Sequence, residues 1–210
     1  MKEMIKDAMI LMAITLLSGL ILGTVYHITK EPIAAQNEKA QTEACQAVFE
    51  NAASFEEVDL AQLASPETIL AELGYGSISI DRVLMAKGES EDTLGYVVAV
   101  TSHEGYGGDI TFYMGVTLDG TTNGISLLAI SETPGLGMKA EDVLVPQFTN
   151  KSVDAFSYTK TGSTSDSEID AISGATITTS ALTNGVNAGL SYLYSQGLVT
   201  MASQSGNGGA

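Results

Sequence analysis

The chain has 210 residues, 44% of them hydrophobic, which is too apolar for a disordered chain and enough for one cored domain behind an apolar leader. Its formal net charge is −16, and 23 of its 25 Asp and Glu residues lie beyond position 30. Nucleic acid and anionic lipid are therefore disfavoured as direct partners of that part, because both call for a basic face. The single cysteine, Cys45, permits no internal disulfide, and His27 and His103 show no zinc-ligand spacing.

Residues 8–26 (AMILMAITLLSGLILGTVY) run for 19 positions without a charge. As a helix they span roughly 28 Å, about one hydrocarbon core. A cleaved signal peptide is the competing reading. The run is longer than a usual signal core, however, and no small-x-small site closes it at Tyr26-His27. Lys2 and Lys6 precede the span and Lys30 follows it. This balance favours a cytoplasmic N-terminus and a domain on the extracytoplasmic side.

Pro32 is expected to end or kink the membrane helix. Residues 36–53 then read as an amphipathic helix, with Ala44, Val48 and Phe49 on one side. Cys45 within it reads as a half-buried structural thiol. Ser65-Pro66-Glu67 predicts a helix start, and Gly74 a stop after Leu73. Residues 77–85, 94–101, 109–118 and 124–130 read as strands. In the third of these, Ile110, Phe112, Met114 and Val116 share one face, and Asp119-Gly120 marks the turn after it. Residues 137–148 hold a short helix, 153–158 an edge strand and 161–166 a polar turn. The last helix is expected at 179–194, with Leu182, Val186, Leu190 and Leu193 on one stripe and Thr178 or Thr179 as its cap. Strands in the middle with helices at both ends predict an α+β fold with an antiparallel or mixed sheet.

Three segments could carry chemistry. His103-Glu104-Gly105-Tyr106-Gly107-Gly108-Asp109 is either a hairpin connection or a loop whose glycines let backbone approach a ligand. Residues 131–139 leave a strand through Pro134-Gly135, which fits a type II turn, and do not match a dinucleotide fingerprint. Residues 170–180 (DAISGATITTS) precede the last helix. Its unpaired N–H groups and positive dipole end could hold a phosphate beside residues 174–178. No Gly-Lys-Ser/Thr ending and no nucleophile elbow is present. The residues alone thus offer an anion site without acid–base machinery.

Asp170-Ala171-Ile172-Ser173-Gly174-Ala175-Thr176 resembles the D-x-x-S/T-G-A-T signal of covalently flavinylated membrane proteins. With Glu132-Thr133-Pro134-Gly135-Leu136-Gly137 and one N-terminal span, the chain resembles the G subunits of Rnf-type ion-translocating ferredoxin:NAD oxidoreductases over most of its length. The C subunit of the sodium-pumping NADH:quinone reductase shares the motif and is the alternative, although this chain is short for it. A non-redox extracellular binding module is a further one.

The Rnf resemblance implies an FMN attached by a phosphodiester to Thr176 by a flavin transferase that consumes FAD. With Thr176 it makes Ser173, Gly174, Ala175, Ile177 and Thr178 cofactor-binding residues. It places Glu132, Thr133, Gly135, Leu136 and Gly137 near the isoalloxazine ring. The implied organisation is a transmembrane anchor at 1–30, a helical membrane-proximal segment at 31–74, an FMN-binding α+β domain at 75–200 and a flexible tail at 201–210. The implied role is electron relay among the subunits of a membrane redox complex coupled to Na+ or H+ translocation. No stand-alone catalytic residue, metal or nucleic-acid partner is expected.

Overall fold

The computed structural model describes residues 2–201; all but the first residue of the expected tail, 202–210, lies outside the described residues. Helix α1 (Lys2–Val48) is continuous and contains Pro32. The helix therefore does not end at Pro32. A proline removes one N–H and crowds one carbonyl, and the Ala-, Gln- and Glu-rich run after it carries the helix on. The apolar part of α1 is exposed along its length and is long and apolar enough to cross a membrane. Packing divides the chain into two units between Thr42 and Glu43.

In the second unit, the end of α1 is followed by β1 (Ser54–Glu57), α2 (Pro66–Glu72), β2 (Ile78–Lys87), β3 (Thr93–Ser102), β4 (Ile110–Thr117) and β5 (Thr122–Ala129). The five strands form one antiparallel meander in sequence order. Short helical turns follow at Gly137–Lys139, α3 (Ala140–Val143) and Val145–Phe148. Strands β6 (Ser157–Thr159) and β7 (Glu168–Asp170) make a separate parallel pair, and α4 (Thr176–Ser195) closes the fold. The α+β architecture and the main strands agree with the sequence expectations. Strands β1 and β7 and the parallel pairing are additional.

The central strand β3 is buried on both faces from Tyr96 to Val100, so it reads as an unbroken apolar run instead of an alternating one. One face packs against α4. Ile110, Phe112, Met114 and Val116 lie there, fully buried with Leu182, Val186, Leu190 and Leu193 of the helix. Each such side chain contributes about 1.5–3 kcal/mol of transfer free energy. Gly185 and Gly189 let the helix sit close, since a Cβ on either would stand 2.9 Å from a Phe112 ring carbon or 2.6 Å from the Met114 methyl. On the other face Ala44, Cys45, Val48 and Phe49 cover Leu84, Val97, Ala99 and Tyr113. Burial pushes the Cys45 thiol up to about 11, the nearby Arg82 charge opposing it only in part.

Asn187 supplies a buried polar clip. Its Oδ1 accepts from the Phe156 N–H at 2.7 Å and its Nδ2 donates to the Phe156 carbonyl at 2.8 Å. Both polar groups of Phe156 are thereby satisfied beside α4, as buried backbone requires.

Candidate functional site

Two turns of the same kind face each other at the start of α4. In the first, Pro134 and Gly135 are the central residues. Gly135 has φ +78°, and the Leu136 N–H donates to the Thr133 carbonyl at 3.1 Å, the pattern of the expected type II turn. In the second, Ser173 and Gly174 are central, Gly174 also has φ +78°, and the Ala175 N–H donates to the Ile172 carbonyl at 3.0 Å. The Thr133 carbonyl also accepts from the Met138 N–H at 3.3 Å, which starts the following helical turns.

The second turn starts α4 at Thr176, three residues earlier than periodicity predicts. The residue before it is Ala175, which has no side chain able to cap. Thr178 and Thr179 are not caps: both lie inside the first turn and are buried. Thr179 Oγ1 donates to the Ala175 carbonyl at 2.9 Å and accepts from the Ile172 N–H at 3.2 Å, lacing the turn to the helix. The N–H groups of Thr176, Ile177 and Thr178 have no acceptor among the described residues. The positive end of a 20-residue helix is therefore left open toward any anion placed there.

Between the two turns lies a cleft of about 490 Å³, within the usual range for cofactor sites. From the first turn it is lined by Glu132, Thr133, Leu136 and Gly137. From the second it is lined by Gly174, Ala175 and the first helical residues Thr176, Ile177 and Thr178. Two segments some forty residues apart in sequence are thus brought together. Ser173 lines a smaller neighbouring cavity of about 150 Å³, to which Gly174 and Thr176 also contribute. Gly135 lines neither cavity; its part is the turn.

Glu132 is only 7% exposed, and its Oε1 accepts from the Gly107 N–H at 3.3 Å. Gly137 is wedged beside it: a Cβ there would stand 2.7 Å from Glu132 Cβ and 2.8 Å from Glu132 Oε2. Leu136 and Ile177 are half-exposed apolar side chains at the cleft edge.

Four lining residues are not among the expected cofactor-binding residues: Ala171 and Ile172 of the motif segment, Tyr106 of the glycine-rich candidate loop, and Lys160. Tyr106, from the β3–β4 loop, borders the large cleft, and Lys160 borders the small one. The signal for Tyr106 is an aromatic between glycines in Gly105-Tyr106-Gly107-Gly108. The signal for Lys160 is that no Lys or Arg follows it in the chain. Lys160 is brought beside Ser173 by the parallel pair, in which Thr159 is opposite Asp170 and the Ala171 N–H donates to the Thr159 carbonyl at 2.8 Å. Asp170 itself does not line either cavity. Its carboxylate accepts from the Ser163 N–H at 2.5 Å and from the Ser163 hydroxyl at 3.4 Å, folding the loop that follows Lys160. Among the described residues there is no cluster able to hold a metal ion.

The meander, the covering helix and the cleft at its start make a domain with one cofactor-sized site at a helix N-terminus. Residues 105–191 match the FMN-binding domain family, and residues 1–48 match the RnfG N-terminal region. The chain is 34% identical to the G subunit of the Na(+)-translocating ferredoxin:NAD(+) oxidoreductase complex of Acetobacterium woodii, over 89% of each chain. It is 34% identical to the proton-translocating counterpart of Clostridium ljungdahlii, over 81% of this chain and 80% of that one. With the G subunit of the ion-translocating oxidoreductase complex of Escherichia coli K12 the identity is 31%, over 88% of this chain and 87% of the other. The fold is also that of NqrC from Shewanella oneidensis, with a TM-score of 0.53 at 16% identity, covering 82% of this chain and 99% of that one. The chain belongs to the RnfG family of ion-translocating oxidoreductase subunits.

Proposed function

We propose that this chain is a membrane-anchored flavoprotein subunit that relays electrons within an Rnf-type ferredoxin:NAD oxidoreductase complex coupled to Na+ or H+ translocation. Residues 1–30 anchor it by one helix, the N-terminus lies in the cytoplasm and the FMN-binding domain is extracytoplasmic. Its partners are the other subunits of the complex. When bound, FMN supplies one- and two-electron redox chemistry, which is why the domain needs no acid–base residue.

FMN is held covalently through Thr176. The Thr176 oxygen forms a bond to the FMN phosphorus of FAD, the anhydride bond to AMP breaks, AMP leaves, and the threonine proton passes to base. A flavin transferase performs this step. The observation that carries the reading is the position of Thr176: it is the first residue of α4, half-buried, and lines both the large cleft and the small cavity. The surroundings suit the product. A phosphodiester carries one negative charge. The open N–H groups of the first turn favour it there, as does Lys160 beside the small cavity. Gly174 lets the backbone approach, and Ser173, Ala175, Ile177 and Thr178 complete the phosphate end. Glu132, Thr133, Leu136 and Gly137 form the wall for the ring, with Gly135 setting the turn. The exposed Leu136 and Ile177 leave an edge that a redox partner can approach.

The test is intact-mass spectrometry of the chain produced with and without a flavin transferase. An FMN adduct that maps to Thr176 and is lost in Thr176→Val is expected. An adduct that persists in Thr176→Val overturns the assignment. The quinone-reductase alternative rests on the shared motif and a likeness of fold, and purification of the native complex separates the two by the partner subunits recovered.

A further inference from the structure

Tyr106 is 71% exposed, and its hydroxyl has no hydrogen-bond partner among the described residues. A lone exposed aromatic carries no meaning by itself, but one that borders a cofactor-sized cleft on fixed backbone is placed to meet an occupant of that cleft. Here it is fixed. A Cβ on Gly107 would overlap the Ser131 carbonyl, and a Cβ on Gly105 would overlap the Gly108 carbonyl and stand 2.9 Å from Glu132 Oε1. The loop therefore lies flat on the exit of β5, and only glycine fits on either side of the tyrosine. Its base is tied by His103 Nδ1 to Asp109 Oδ1 at 2.9 Å, and by the Asn184 amide of α4 donating to Glu104 Oε2 at 2.8 Å. The Gly107 N–H is anchored on Glu132, the same carboxylate that lines the cleft.

This arrangement holds one aromatic ring at the cleft edge while sparing it from the core. No other cleft-lining residue is aromatic. We propose that Tyr106 stacks on the isoalloxazine ring of the FMN tethered at Thr176 and fixes the ring's position in the cleft, an inference that rests on the flavin reading above. A planar conjugated ring is the occupant whose chemistry matches: offset stacking needs a flat partner, and the apolar Leu136 lines the same cleft. The phosphodiester alone would leave the ring free to swing on its ribityl chain, and a stacked tyrosine removes that freedom.

A phenol in contact with an excited flavin quenches its fluorescence by transient electron transfer, and the chain has no tryptophan to confuse the assignment. The full chain is produced with a flavin transferase and purified in detergent. FMN content is read by intact mass and the fluorescence lifetime is read per bound FMN. The wild type should show a short lifetime, Tyr106→Leu a several-fold longer one, and Tyr106→Trp a short one again. A Tyr106→Leu protein that carries FMN with the wild-type lifetime overturns the contact. So does a Tyr106→Trp protein that emits like the leucine variant. A wild-type chain that acquires no FMN refutes the underlying flavin reading instead, and mass spectrometry tells that failure apart.

Discussion

Thr178 Oγ1 lies 2.5 Å from the point that a Cβ on Gly137 would occupy. The two residues are 41 positions apart, one at the end of the Pro134-Gly135 turn and the other in the first turn of α4. Both residues line the cleft. Their contact leaves no room for any side chain at Gly137, because Glu132 crowds the same point from the other side.

Gly137→Ala should therefore destabilise the domain by about 1–3 kcal/mol, the usual cost of overpacking a filled site. It should also lower FMN incorporation. Thermal unfolding and flavin content of the purified chain check both. Thr178→Ala combined with Gly137→Ala should recover part of the loss, since it removes the nearest of the clashing atoms.

Lys160 is expected to act through charge on the phosphate end of the site. Lys160→Gln should slow flavin attachment by about tenfold, the size of one charge-assisted contact. Lys160→Arg should retain most of the rate. Time courses of adduct formation with FAD and transferase measure the difference. Equal rates in the glutamine variant and the wild type would remove Lys160 from the site.

Asn187→Leu should destabilise the domain by about 2–4 kcal/mol. It strands the N–H and the carbonyl of Phe156, both satisfied by Asn187 through bonds of 2.7 and 2.8 Å. Urea unfolding followed by circular dichroism reads this. A loss below about 0.5 kcal/mol, the scale of a surface change, would mean that water can replace the amide.

Cys45 should resist thiol reagents at pH 8 in the folded chain and react quickly in urea. Its pKa is raised by burial from 9.0 to about 11, so the thiolate is scarce in the native state. The same shift sets a sign for stability. The unfolded thiol ionises first, so this contribution is intact below pH about 9 and is lost as pH rises through about 11. Cys45→Ala should therefore flatten the alkaline fall in stability over that window. An identical fall in wild type and variant would contradict the linkage.

Much of the architecture was legible in the sequence because it is written in local periodicity. The alternation of Ile110, Phe112, Met114 and Val116, and the stripe from Leu182 to Leu193, each name a buried face before any coordinate is known. Strand β6 falls at the end of the edge strand expected at 153–158, but β7 is only three residues long and pairs with it in parallel; so short a run carries no period to read. The start of α4 was misplaced for a different reason. Thr178 and Thr179 look like caps by composition, yet their neighbours bury them, and the turn at Ser173-Gly174 begins the helix earlier.

The sequence alone determined the apolar span, the acidic domain, the α+β order and the two motif segments, because each is a property of residues near one another in the chain. The flavin reading of those motifs came from resemblance, since a hydroxyl-rich loop before a helix has no chemistry peculiar to flavin. Tertiary structure alone decided that Glu132, Thr133, Leu136 and Gly137 line one cleft with residues 174–178, that Tyr106 borders it and Lys160 the smaller cavity beside it, and that Asp170 serves the loop instead of the cavity. Those facts depend on strand pairing and close glycine contacts between distant segments, and no local pattern encodes them.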